Sequence, residues 1–153
     1  MANRFYNNGC KGSFQKRNVV GGTLDPERQR LLDLFRKEWI MQGIDEEGVE
    51  FCRQAAEYLQ QKGMTSSYVR NIFGELKRIE SKGFAQSRID FYLLRPKVAY
   101  ATARAKGRGI DMGLFREVYE RMAPDVSDDR TFKNLVNMIE AIIAFHKACG
   151  GKD

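Results

Sequence analysis

Arg70 and Lys77 stand seven residues apart, about two turns if that stretch is helical, so they project from a common side. Arg78 adjoins them. Further on, Lys97, Ala101 and Arg104 repeat the spacing, with Arg108 in line if the helix reaches that far. Fixed guanidinium and ammonium groups in such rows do one kind of chemistry: they neutralise the phosphates of a polyanion. Residues 65–110 hold ten bases against three acids, Glu75, Glu80 and Asp90, a local charge of +7 in a chain whose net charge is +6. Nucleic acid is the partner that such a concentration suggests. The same composition also suits a solvated face that keeps the chain soluble.

Catalytic chemistry has few candidates. His146 is the one histidine, at helical spacing from Ile139 and Ile143, and reads as a core-edge residue. Cys149, three residues on, lies within one turn of it, but no third group orients the pair as a nucleophile and base. Glu140, on an otherwise apolar helix, fits a hydrogen bond to a neighbouring helix or a pair with a base from 65–108 better than a general base. The Gly107–Gly109 pair is too little for a phosphate loop, and no carboxylate cluster suits magnesium. Cys10, Cys52 and Cys149 are widely spaced and form no C-x-x-C pair, so neither a disulfide framework nor a zinc site is indicated. No catalytic residue, cofactor or metal is expected. The chain reads as a reduced, cytoplasmic protein that is not an enzyme.

The cations must be positioned by helices. In TSSYVRNIFGELKRIE, Val69, Ile72, Phe73, Leu76 and Ile79 recur every three or four residues and form a core-facing stripe. Thr65 or Ser66 caps this helix, and Gly83 ends it; Thr65 to Ser67 would also offer backbone N–H groups to an anion. The next helix starts at Ser87, and Pro96 is expected to kink or divide it. Upstream, Asp25–Pro26 opens a helix whose apolar side is Leu31, Leu32, Leu34, Phe35 and Trp39, with a stop at Gly43. Asp45 opens another, with Val49, Cys52, Ala56 and Leu59 in register and an end at Gly63. Downstream, Phe115, Val118, Tyr119 and Met122 mark a short helix, and Ser127 or Asp128 caps a last one carrying Phe132, Leu135, Val136, Ile139, Ile142, Ile143 and His146. No segment alternates as a strand does. The expected fold is all-α, a compact single-domain bundle of about six helices over residues 25–153, with one helix interrupted near Pro96.

Residues 1–24 have four bases, no acid and isolated aromatics at Phe5, Tyr6 and Phe14, and read as a flexible basic arm suited to RNA or as an ordinary frayed terminus. No apolar run approaches the ~20 residues that cross a bilayer, so no membrane partner is expected.

Three stretches together resemble one family. T-S-S-Y-V-R-N-I-F-G-E-L-K-R-I-E (65–80), L-R-P-K-V-A-Y-A-T-A-R (94–104) and E-A-I-I-A-F-H-K (140–147), the last followed by Gly150–Gly151, are similar in order and separation to the small helical subunit of type III-A CRISPR–Cas effector assemblies, the Csm complex. The likeness covers roughly residues 60–151. Phe145 stands where the family often has Tyr, which removes one hydroxyl and leaves the fold expectation intact.

The resemblance implies a non-catalytic subunit of an antiviral effector. Copies would stack along the inside of the filament and line the path of the crRNA and the target RNA paired with it. Partners would be those RNAs, other Csm subunits and further copies of the chain, with Tyr100 or Tyr119 as candidates for the contact between copies. By position, Arg70, Lys77, Arg78, Lys97 and Arg104 match the basic motifs, and with Arg108 they are the expected RNA-binding residues. Two other readings remain open: a stand-alone helical nucleic-acid-binding regulator, and a scaffold subunit whose basic face meets acidic protein neighbours.

Overall fold

The computed structural model describes residues 25–153; the expected basic arm at 1–24, with Cys10, lies outside them. Seven α-helices occur among the described residues: α1 (Pro26–Leu34), α2 (Glu38–Met41), α3 (Glu46–Gln61), α4 (Ser66–Lys82), α5 (Arg88–Lys106), α6 (Gly113–Met122) and α7 (Asp129–Ala148). The only strand-like feature there is an isolated bridge between Thr65 and Lys152. The fold is all-α. The chain divides by packing into two units, Met1–Arg30 and Leu31–Asp153. In the first, the described residues are the opening turns of α1, where the Asp25 carboxylate accepts from Arg28 N at 3.1 Å and Arg30 pairs with Glu27 at 2.7 Å.

In the second unit α7 is the central packing element. It lies most extensively against α3, then α4 and α2, while α5 packs on α4 and on α6. Its start is firmly set: the Asp128 side chain accepts from Thr131 N at 2.8 Å, and the Thr131 hydroxyl accepts from Asp128 N at 3.1 Å. This reciprocal box satisfies donors that a helix end otherwise leaves open. Beyond it, Phe132, Leu135, Val136, Ile139 and Ile142 are buried as their spacing predicts. Phe132 closes an aromatic cluster with Phe84 and Phe91, ring centroids 5.4–5.6 Å apart. Phe35, Trp39 and Phe51 form a second cluster at 5.2–5.9 Å.

Local differences from the sequence reading have physical causes. The expected first helix is broken between Leu34 and Glu38, which leaves Leu34 on the surface while Trp39 turns inward. Val49 of α3 is exposed, and Phe51, Ala55 and Tyr58 join the buried face instead. Pro96 does not divide α5, which runs unbroken from Arg88 to Lys106. Having no N–H, it only leaves the Tyr92 carbonyl without its usual donor. Pro96 and Tyr92 are both exposed, so water can serve that carbonyl. Gly63 and Gly83 follow α3 and α4 with φ of +90° and +94°, values that side-chain-bearing residues rarely adopt.

A candidate nucleic-acid interface

Helices α4 and α5 pack side by side, each with one face in the core: Val69, Ile72, Leu76 and Ile79 from α4, Phe91, Leu94, Val98 and Ala105 from α5. Residues flanking those stripes, with Ile72 from the α4 stripe, line an open groove of about 800 Å³ along the seam. Arg70 comes from α4, Lys97 and Arg104 from α5, and Arg108 from the turn after α5. Four of the six expected cations therefore converge on one surface. Arg108 does so although the helix stops at Lys106, because the turn through Gly107 continues the same direction.

Lys77 and Arg78 are not part of that lining. Seven residues make slightly less than two turns and advance the helix by about 10 Å. At that height Lys77 meets Glu80 at 2.9 Å, a carboxylate that also takes Lys133 of α7 at 3.0 Å. The hydrogen bond from Lys77 holds the Glu80 carboxyl below its ordinary value, and the same bond raises the lysine. Arg78 bonds Glu75 at 2.7 Å and lies 3.5 Å from Asp90. Glu75 is the one acid among the described residues that line the groove; the Arg78 hydrogen bond, then the charge of Lys97 at 3.7 Å, lower its pKa. No described carboxylate lies within ion-pairing distance of Arg70, Arg104 or Arg108.

The first turn of α4 is used differently from the expectation that it offers free donors. Ser66 N donates to Lys152 O at 2.9 Å, and the Ser66 hydroxyl donates to Asp153 at 3.1 Å. Lys147 donates to the same carboxylate at 2.8 Å. Hydrogen bonds from Lys147 and Ser66, with the charges of Lys147 and Arg70, hold Asp153 below the usual carboxylate range. The chain's own residues 152–153 thus occupy the Ser66 donors, the middle ones of the three residues expected to face an anion.

The groove also holds residues that the charge pattern did not flag. Tyr68 and Tyr100 line it, and the Arg104 guanidinium lies 6.0 Å from the Tyr68 ring centroid. Tyr100 is detectable in the sequence as the residue one turn from both Lys97 and Arg104; the Tyr68–Arg104 contact exists only across the seam. Tyr119, the other candidate for a contact between copies, is 1% exposed and belongs to the core.

His146 and Cys149 bond backbone carbonyls and not each other's side chains. His146 is fully buried, not at the core's edge, and its Nε2 donates to Met64 O at 2.7 Å. Cys149 donates to the His146 backbone carbonyl at 3.4 Å, not to the imidazole. Gly151 is forced by this packing, since a Cβ there would fall 2.2 Å from the His146 ring. Burial pushes the Cys52 thiol up to about 12. Glu140 is exposed, and its charge acts on Lys77. Among the described residues no group of three His, Cys, Asp or Glu could hold a metal ion, and no helix is long and apolar enough to cross a membrane.

The described residues thus form an all-α protein that presents a cationic groove between two of its helices. The family model Csm2 Type III-A matches residues 46–152, which begins well before the first motif at Thr65 and runs through the C-terminal glycines. The chain belongs to this Csm2 family and is a small subunit of the type III-A CRISPR effector, the Csm complex. Neither a curated protein nor a solved structure gives a significant match.

Proposed function

We propose that the α4–α5 groove holds the RNA of the effector complex, crRNA and target, by its phosphates, and that the subunit does no chemistry of its own. The observation that carries this is the convergence of Arg70, Lys97, Arg104 and Arg108 on one open surface, three of them with no described carboxylate in pairing range. Such contacts release condensed counterions and read no sequence, which leaves recognition to guide–target pairing. Lys77 and Arg78 act at the margin, where a phosphate can displace their solvent-screened partners. The basic arm at 1–24 would add phosphate contacts in the same way.

A few contacts per copy are weak and become effective when copies are linked in an array. Identical copies that repeat along a filament use different patches head to tail. An exposed apolar strip on α5, with Ile89 73%, Tyr92 58% and Leu93 51% exposed, supports contact with a further copy or another Csm subunit. The work of the whole is antiviral defence in the cytoplasm.

The test is target-RNA retention by reconstituted complex in which Arg70, Lys97, Arg104 and Arg108 are reversed to Glu. Gel shift at low and moderate salt should show retention lost while the bundle's circular dichroism is unchanged. Unchanged retention would refute the assignment. Failure of the variant to co-purify with its partners, with RNA affinity intact, would favour a protein-docking role for the same face.

A further inference from the structure

Tyr100 is 69% exposed although it is a large aromatic, and the core positions of α5 lie on other faces, so packing among the described residues does not account for it. It lies in the cationic groove. Along α5, Lys97 precedes it by three residues and Arg104 follows by four, the two spacings that place side chains on one helical face. Those two cations are about 10 Å apart along the axis, with the ring between them. Across the seam, Arg104 already lies over the Tyr68 ring, which orients the guanidinium.

We propose that Tyr100 is a stacking platform for an unpaired base, so that the groove takes an open single-stranded stretch of RNA in preference to closed duplex. This rests on the reading of the groove as an RNA site and adds what form of RNA it takes. The reason is geometric. A phosphate contact is available from duplex and single strand alike. The face of a base is available only when the base has left the stack, because in a duplex its neighbours cover both faces. An exposed ring flanked by cations therefore contributes to binding only where a base is free to lie on it, and any base can do so.

The test uses the full chain and fluorescence anisotropy with three probes: labelled oligouridylate, the same strand with abasic riboses, and an RNA duplex of equal length. Oligouridylate should bind about tenfold more tightly than the abasic strand, a difference within the range of one stacked base. Tyr100→Ala should abolish that difference and leave duplex binding unchanged, whereas Tyr100→Phe should keep it. Equal binding of oligouridylate and abasic strand by the wild type, or an unaltered difference in Tyr100→Ala, overturns the inference. An Arg104→Gln/Arg108→Gln variant separates the two levels. If it weakens all three probes while Tyr100→Ala changes nothing, stacking fails and the RNA groove stands. If neither variant alters any probe, the groove is not an RNA site and both readings fall.

Discussion

Two grooves on the Leu31–Asp153 unit have opposite character. Among the described residues, the α4–α5 seam is lined by Arg70, Lys97, Arg104 and Arg108 with a single acid, Glu75. The second, smaller groove has Trp39 and Phe51 in its wall and carries Glu46, Glu47 and Glu50. Near the acidic groove the bases are tied up: Arg36 pairs with Glu47 at 3.1 Å, and Arg53 bonds both Glu50 and Glu57. Those pairs follow i,i+3 and i,i+4 spacing or a short reach between neighbouring helices, so the charges cancel locally. On the α4–α5 seam the same cancellation happens at Lys77 and Arg78 and, through Glu75, in part at Lys97, but not at Arg70, Arg104 or Arg108. The lesson is that cations add to a binding field to the extent that neighbouring carboxylates do not take them up.

The largest expected effect concerns a support that the cationic groove has and the acidic one lacks. The tail that seats Lys152 and Asp153 on the first turn of α4 is packed through Gly151 against His146. Gly151→Ala drives a methyl into a buried ring and backbone, and should cost about 1–3 kcal/mol in urea unfolding. An unchanged midpoint would mean the tail is not part of the cooperative fold. Next comes a matched pair of neutralisations. Arg104→Gln/Arg108→Gln should weaken RNA affinity roughly tenfold and cut the log–log salt slope by about two. Arg36→Gln/Arg53→Gln removes the same charge and should leave both nearly unaltered. Equal losses from the two variants would break the comparison and make net charge the cause.

A smaller change is expected at the margin. Lys77→Gln/Arg78→Gln should lower affinity less than the Arg104/Arg108 variant, because each of these cations starts with a carboxylate partner. The smallest effect should be a gain: Glu75→Gln removes the only acid among the groove's described lining residues and should tighten RNA binding about two- to fivefold by sparing one repulsive contact. Its pH signature has a defined sign. The folded-state pKa of Glu75 lies below the ordinary 4.5, so its ion pairs contribute fully above that value and are lost as pH falls through the depressed one. Wild-type stability should therefore drop further in acid than that of Glu75→Gln, and parallel acid titrations would sink the assignment.

Much of this was legible along the chain. The stripe Val69–Ile72–Phe73–Leu76–Ile79 (Phe73 half-buried, the others buried), Asp128 as one of the two candidate caps and the stops at Gly63 and Gly83 are local patterns, written within one or two turns, and the structure has them where the spacing puts them. The family was equally legible, since motif order survives without coordinates. The break after Leu34 was not, because the residues there satisfy either one long helix or two short ones, and only contact with α7 decides which is buried. Pro96 misled in the other direction: the cost of a missing donor depends on whether water reaches the orphaned carbonyl, which is a property of the surface.

The sequence alone determined that cations concentrate between residues 65 and 110, that the segments bearing them are helical, and which family the chain belongs to. Tertiary packing decided which cations share a groove. Periodicity gives the angle of a side chain about its own helix, but whether it faces a carboxylate, a ring or open water depends on the helix lying alongside. Arg104 of α5 meets Tyr68 of α4 and Lys133 of α7 meets Glu80 of α4 for that reason, whereas the Lys77–Glu80 pair, three residues apart on one helix, could be read from spacing.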